Sequence, residues 1–306
     1  MPYTKSDEPH HSFSYQIAYL VNILGLCSWL YLNNHHSSTS TKGVNAINSV
    51  AYINGGAAIG KIDEDFICAT IDWWPPEKCD FGRCSWGKAS ILNLDLNNKA
   101  LFNAIKAFSP LKIRLGGTLQ DKMVYEIGNY PRPCSQFAKN DSEMFGFTQG
   151  CLSMTRWDEL NIFMNNTGAH IIFGLNALHG KITRQGKAIG AWDPSNSKAL
   201  MKYSVERGYV IHGWELGNEL SGNGVGVRID VDDYANDTRT LHNVIEEVYK
   251  DIEIKPLIIA PGGFFSTEWI SRFIDKSSDS IQVITHHIYN LGPGTLYFIY
   301  CQNKYL

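Results

Sequence analysis

The sequence has little excess charge of either sign, which argues against one broad class of partners. Its 306 residues include 27 Lys and Arg against 30 Asp and Glu, a formal net charge of −3. The basic residues are scattered along the chain and form no stripe. Domains that bind nucleic acid usually carry a clustered basic patch. We therefore expect no nucleic-acid partner, and nothing in the sequence indicates a stable protein partner.

Nucleotide-binding fingerprints are also missing. The run GNGVG, from Gly222 to Gly226, lacks the third spacing of a G-x-G-x-x-G motif and does not open a helix directly. No P-loop pattern occurs in the chain. We therefore expect no cofactor.

No apolar run is long enough for a comfortable membrane span. The longest candidate, Ile17 to Leu32, has the length of a signal-peptide core and is followed by the polar stretch NNHHSSTSTKG. We interpret residues 1–43 as a leader with a secretory signal peptide. An uncleaved anchor and a stray upstream extension are the alternatives. The signal peptide predicts a secreted, extracellular or vacuolar-lysosomal protein, and an uncleaved anchor would attach it to a membrane.

Cysteine spacing favours disulfides over zinc. The seven cysteines include no C-x2-C pair, so a zinc site is the weaker interpretation, and the adjacent His286 and His287 have no third partner in the sequence. We expect no metal. Local disulfides are predicted for an oxidising compartment, and three N-x-S/T triplets give it mild support. The disulfide candidates are Cys79, Cys84, Cys134 and Cys151, and the glycosylation candidates are Asn140, Asn165 and Asn236.

Short apolar runs alternate with stretches of helical periodicity. This alternation predicts parallel βαβ units, and it fits either an open doubly wound sheet or most of a (β/α)8 TIM barrel. Because nucleotide motifs are missing, we favour an α/β fold of the barrel type with about six of eight strands, over residues 61–290. The predicted strands are Phe66–Ile71, Leu111–Leu115, His170–Leu175, Tyr209–Trp214, Pro256–Ala260 and Ile281–Ile284.

Polar, aromatic and glycine residues gather where these strands end. In a TIM barrel the active site lies at the carboxyl ends of the strands. Aromatic rings beside amides and carboxylates suit a sugar, which offers apolar faces and hydroxyl groups. We therefore expect a carbohydrate substrate at this end. The candidate contacts are Asp72, Gly117, Thr118, Asn176, Asn218 and Tyr289.

The fourth predicted strand continues into ELGNELSG, which carries two carboxylates four residues apart. Glu219 comes after the apolar run, where a substrate would sit, and a partly buried carboxylic acid there can protonate a leaving glycosidic oxygen. Glu215 lies within the strand, and we interpret it as a structural carboxylate of the barrel interior. Asn218 can donate its amide to a sugar hydroxyl.

Several motifs together resemble a known family. WELGNELSG, IRLGGTLQDK, DWWPPEKC, FGFTQGC, IIAPGGFF and THHIYNLGPG are similar to plant heparanase-like proteins, which belong to the heparanase group of glycoside hydrolases (family 79) with the baicalin β-glucuronidases. The resemblance implies a (β/α)8 barrel with an added β-sandwich, and hydrolysis of β-linked glucuronides, or of glucuronide-containing polysaccharides, with retention. It makes Glu219 the acid/base, preceded by Asn218.

The resemblance fades towards both ends of the sequence. Residues 44–60 resemble a strand of the family's β-sandwich, whereas residues 291–306 form a divergent tail. Retention needs a second carboxylate as nucleophile, which in the family ends a seventh strand. We find no such strand, so we expect a C-terminally truncated chain with no nucleophile and most of the sandwich missing. The alternative to an active hydrolase is therefore a catalytically incompetent product that binds carbohydrate weakly.

Overall fold

A six-stranded parallel sheet forms the centre of the structure. The computed structural model describes residues 56, 60–78, 89–128 and 134–289. Each strand of the sheet pairs in parallel with the strand that precedes it in the sheet order. The sheet strands, in spatial order, are β1 (Cys68–Ile71), β2 (Lys112–Leu115), β5 (His170–Leu175), β8 (Ile211–Leu216), β10 (Leu257–Phe264) and β11 (Val283–His287).

One helix follows each of the first five sheet strands, so the chain repeats a βα unit. Spatial order equals chain order, as in the first six strands of a (β/α)8 barrel. The predicted α/β architecture with about six parallel strands is confirmed. The helices are α1 (Lys99–Ala107), α2 (Met154–Thr167), α3 (Ser195–Glu206), α4 (Val231–Val248) and α5 (Thr267–Ser277).

Two small sheets are added beside the main one. β3 (Met123–Tyr125) pairs with β4 (Gly150–Leu152), and a hairpin of β6 (Ile182–Arg184) and β7 (Lys187–Ile189) pairs with β9 (Arg228–Ile229). Short 3₁₀ helices span Thr118–Lys122 and Met144–Gly146. These additions lie in the connections that follow β2, β5 and β8.

Capping side chains set two of the helix starts. The side chain of Asn98 accepts hydrogen bonds from Ala100 N and Leu101 N, and so begins α1. The hydroxyl of Ser153 accepts from Arg156 N and begins α2. Ser153 can cap this helix because its extended backbone places the hydroxyl over the first turn.

The sequence did not reveal α3. Its buried face includes Ser197 and Ser204 beside Leu200 and Met201. Hydroxyl groups at two of these positions weaken the apolar periodicity on which helix prediction depends. Ser204 is satisfied internally, because its hydroxyl donates to Leu200 O and accepts from the indole N–H of Trp157.

An aromatic cluster fills the core around Phe173. The ring of Phe173 meets Trp157 at 4.7 Å, Trp214 at 5.7 Å and Trp73 at 5.9 Å, each edge to face. All four residues are fully buried. Such pairs stabilise a core beyond their buried area by roughly 0.5–1.5 kcal/mol each. Trp73 is therefore a core residue, whereas Trp74 stays partly exposed under the ammonium of Lys78, 4.2 Å from the ring.

One predicted disulfide is formed in the structure. Cys134 and Cys151 are bonded, with their Cα atoms 5.3 Å apart. The bond attaches residues 134–138 to β4. The other candidate pair, Cys79 and Cys84, lies outside the described residues.

The glycosylation candidates lie on the surface to different degrees. Asn165 and Asn236 are exposed and Asn140 is partly exposed. The threonines of two triplets, Thr167 and Thr238, are buried and hydrogen-bond backbone carbonyls of their own helices. The leader, nearly all of residues 44–60 and the tail from residue 291 are outside the described residues. None of the described helices is long and apolar enough to cross a membrane.

The disulfide makes a testable contribution to stability. Cys134 and Cys151 are 17 residues apart, and a bridge across such a loop contributes about 3 kcal/mol by restricting the unfolded chain. We expect Cys134→Ser combined with Cys151→Ser to lower the free energy of unfolding by about 2–4 kcal/mol in urea denaturation. Ser135→Ala, at an exposed residue beside Cys134, is the control and should leave the free energy of unfolding unchanged. Equal midpoints for the double variant and the unmodified chain would contradict the prediction.

Candidate active site

A buried ion pair lies at the carboxyl ends of the central strands. The guanidinium of Arg114, on β2, donates from Nε to Oε2 of Glu215, on β8, at 2.5 Å. Arg114 is 7% exposed and Glu215 is 1% exposed. Burial alone would lower the pKa of Arg114, but Glu215 and then Asp72 and Glu219 raise it on balance. Arg114 therefore stays charged among three carboxylates.

Glu215 is a structural carboxylate, as its position within the strand indicated. Besides Arg114, it receives a hydrogen bond of 3.4 Å from the hydroxyl of Thr285, on β11. That hydroxyl also accepts from Gly262 N, on β10, at 3.2 Å. Both oxygens of Glu215 are thereby held by partners from neighbouring strands. We conclude that Glu215 organises the site and is not free to react.

Asn218 is fixed at both its side chain and its backbone. Its Oδ1 accepts from Nη2 of Arg114 at 2.8 Å, and its backbone N–H donates to Oδ2 of Asp121 at 2.9 Å. The other oxygen of Asp121 accepts from Ala177 N at 2.8 Å. Because Arg114 occupies the amide oxygen, the NH2 group of Asn218 is the part left to donate to a ligand.

Glu219 lies just beyond β8 on a tight backbone turn. Gly217 has φ +70° and Glu219 itself has φ +56°, the left-handed region that a non-glycine residue rarely adopts. The turn is held because Glu219 N donates to Gly262 O at 2.8 Å. It breaks the strand's alternation, so Glu219 leaves the interior direction of Glu215. The conformation of Glu219 is thus imposed by its surroundings.

His287 orients the carboxylate of Glu219. Its Nδ1 lies 2.9 Å from Oε1 of Glu219, and both residues are 8% exposed. The other ring nitrogen, Nε2, is buried, and among the described residues it has no hydrogen-bond partner. Of the two adjacent histidines, His287 reaches the site, whereas His286 packs on Phe265.

Asp72 comes close to this group from the end of β1. Burial raises its pKa to about 7, against the lowering effects of the Trp73 N–H and of Arg114, and the charge of Glu219 adds to the increase. Its Oδ1 accepts from Trp73 N at 2.5 Å. Gly117 is packed against this carboxyl group, and it has φ +141°, so a Cβ at that position would collide with Asp72.

The remaining sequence candidates are placed in different ways. Thr118 begins the 3₁₀ helix after Gly117 and is partly exposed. Tyr289 is 64% exposed, and its ring lies 6.1 Å from that of Phe264. Asn176 differs from expectation. Its amide donates to Met123 O and accepts from Leu178 N, so it supports the loop after β5.

Sequence reasoning missed three side chains of the site. Arg114 was seen only as part of a strand end, and Asp121 and His287 were given no role. Asp121 is buried, and burial raises its pKa to about 8 although two backbone N–H groups lower it. The available signal was a charged residue inside an apolar strand, since an unpaired charge there would be very costly. Arg114 and Glu215 each carry that signal.

The raised pKa of Asp72 predicts a pH dependence of stability. Between pH 4 and pH 7 the folded chain holds a proton on Asp72 that the unfolded chain has released, so this group's contribution falls as pH rises through that window. Asp72→Asn removes the ionisation. We expect the variant's free energy of unfolding, relative to the unmodified chain, to rise by on the order of 2 kcal/mol from pH 4.5 to pH 7.5 in urea titrations.

Asp251→Asn is the matched control, because the Asp251 side chain is 86% exposed. The difference in free energy of unfolding between Asp251→Asn and the unmodified chain should stay constant across the same pH range. A flat difference for Asp72→Asn as well would contradict the inferred desolvation.

Comparison with known proteins places these residues in a family. The model of glycosyl hydrolase family 79, N-terminal domain, matches residues 48–300. Heparanase-like protein 3 of Arabidopsis thaliana is 53% identical over 276 residues, which cover 90% of this chain and 51% of that protein. Baicalin-beta-D-glucuronidase of Scutellaria baicalensis is 48% identical over 77% of this chain and 47% of its own length.

The chain spans about half the length of the curated relatives it matches. Among solved structures, AbfB, a family 51 α-L-arabinofuranosidase from Bifidobacterium longum, aligns with a TM-score of 0.45 at 13% identity, over 79% of this chain and 48% of its own. The family model covers most of the chain, including every strand of the main sheet. The chain therefore belongs to glycosyl hydrolase family 79.

Proposed function

We propose that the site binds a β-linked glucuronide and that Glu219 is the acid/base of its retaining hydrolysis. The observation that carries this proposal is the placement of Glu219 at the end of β8, with one oxygen held by His287 and Asn218 fixed beside it. A general acid must be held within reach of the leaving oxygen and be partly shielded from water. Glu219, 8% exposed, meets the second condition.

The substrate class rests on the family and on the chemistry of the rim. Asn218 offers an amide NH2, and the partly exposed Trp74 and the exposed Phe264 and Tyr289 offer aromatic surface. Such a mixture suits a sugar ring. A free cation beside Glu219 would recognise the carboxylate of a glucuronide, but the described residues offer none, since Arg114 is already bound by Glu215 and Asn218. The choice of a glucuronide therefore rests on the similarity to baicalin-beta-D-glucuronidase.

A second candidate function is carbohydrate binding without turnover. Retaining hydrolysis needs an ionised carboxylate about 5–5.5 Å from the acid. Among the described residues, Glu215 is bound by Arg114, and Asp72, with a pKa of about 7, is largely protonated below neutral pH. Neither is well suited to act as a nucleophile. For these 306 residues alone, we therefore propose binding as the activity to expect.

We also propose an oxidising location for the protein, outside the cell or in the vacuolar-lysosomal system. The Cys134–Cys151 bridge supports this proposal, because disulfides persist in oxidising compartments and are rare in the cytosol. Membrane attachment would depend on residues 1–43, which lie outside the described residues.

Binding and turnover can be tested separately on the 306-residue chain. We expect methyl β-D-glucuronide to bind in calorimetry, and Asn218→Ala to weaken binding by about tenfold through loss of one hydrogen-bond donor. Glu219→Gln keeps the shape of the side chain and should retain binding. Asn243→Ala, on the exposed face of α4, is the control and should bind like the unmodified chain.

Turnover is followed with 4-methylumbelliferyl β-D-glucuronide. We expect none from this chain. Turnover that Glu219→Gln abolishes would reject the binding-only candidate and support the acid/base role. Turnover that survives Glu219→Gln at full rate would contradict that role, and an absence of glucuronide binding would contradict the proposal as a whole.

A further inference from the structure

A second cluster of polar side chains lies at the opposite end of the main sheet. His170 is the first residue of β5, and His212 is the second residue of β8. Because the strands are parallel, these starts lie far from Glu219, which follows the end of β8. Asp65, in the segment before β1, reaches the same place. The cluster therefore has no part in the site described above.

The ligand-type atoms of the three residues converge. Oδ2 of Asp65 lies 3.3 Å from Nδ1 of His170 and 3.7 Å from Nε2 of His212. One possible ligand atom from each of the three residues lies within 4.8 Å of the other two. Ligands bound tetrahedrally to zinc at 2.0–2.1 Å are separated by about 3.3–3.4 Å. The two distances to Oδ2 of Asp65 are close to this value, whereas the two imidazoles must turn so that a nitrogen of each points at the same ion.

A strand irregularity brings His212 to this position. Ile171 pairs with Ile211, but Ile172 pairs with Gly213, so His212 is an extra residue in β8. Such β-bulges re-aim a side chain and occur often at barrel rims. The imidazoles of His170 and His212 are stacked, with their centroids 4.7 Å apart and their planes 11° from parallel. The two rings come from different strands, and the carboxylate comes from a third segment.

We propose that Asp65, His170 and His212 form a binding site for a zinc ion. Two imidazoles and one carboxylate are a ligand set that zinc favours, whereas magnesium and calcium prefer oxygen ligands throughout. The side chains of His170 and His212 are 41% and 32% exposed, so an ion can enter from solvent and a water can complete the coordination. Stacked rings must rotate to aim both nitrogens at one ion, and this exposure leaves room for that movement.

Lys112 tunes the site. Its Nζ lies 2.7 Å from Oδ1 of Asp65, the oxygen that faces away from the histidine contacts. The ammonium holds the carboxylate in place, but its positive charge opposes a cation on the other oxygen. Zinc would join the segment before β1 to β5 and β8, and thereby stabilise the start of the barrel.

The direct test is zinc binding by the 306-residue protein, freed of any affinity tag and of metal, in calorimetric titration with zinc chloride. We expect one tight zinc ion per chain and no comparable binding of magnesium. His170→Ala combined with His212→Ala should weaken this zinc at least tenfold. His179→Ala combined with His242→Ala removes two described histidines outside this cluster and should leave zinc binding unchanged.

Lys112→Met provides an independent test, in which zinc affinity should rise instead of fall. With the competing ammonium removed, we expect zinc to bind several times more tightly and to raise the melting temperature further than in the unmodified protein. This result does not depend on whether the double histidine variant folds. The proposal is overturned if no tight zinc is found, if that zinc survives His170→Ala with His212→Ala, or if Lys112→Met does not tighten it.

Discussion

The ion pair between Arg114 and Glu215 is the constraint on which the candidate active site depends. Both charges are nearly removed from water, which is costly unless each finds several partners. Arg114 meets this need with Glu215 and the amide oxygen of Asn218, and Glu215 meets it with Arg114 and Thr285. The pair therefore joins β2, β8 and β11 at the end of the sheet where Glu219 lies.

The surroundings of the pair explain how an ordinary strand end becomes a candidate acid/base site. Asp121 holds the backbone of Asn218, and Gly262 O holds the backbone of Glu219 in an unusual conformation. His287 then fixes the carboxylate. All of these contacts are made by the chain's own groups, so the arrangement is held without a ligand. Preorganisation of this kind is what allows a single carboxylate to act with the right geometry.

The sequence predicts the sheet well because buried parallel strands are short, apolar runs between helices. The sequence also distinguishes the roles of Glu215 and Glu219, because Glu215 lies inside such a run and Glu219 lies beyond it. It could not show that Asn176 is committed to backbone groups, or that Asp121 reaches Asn218 across 97 residues, since both depend on how loops fold. The α3 helix was missed for a local reason, which is the serines on its buried face. The sequence could not predict the cluster of Asp65, His170 and His212, because it combines three segments that are distant along the chain and depends on a β-bulge.

Arg114 and Glu215 act as one unit, and a double-mutant cycle on the free energy of unfolding measures this coupling. Glu215→Gln alone leaves a buried guanidinium without its counter-charge, which should cost about 3–5 kcal/mol. With Arg114→Met already present, the same change should cost far less, because no unpaired charge remains. Losses that simply add in the Arg114→Met, Glu215→Gln double variant would contradict the claim.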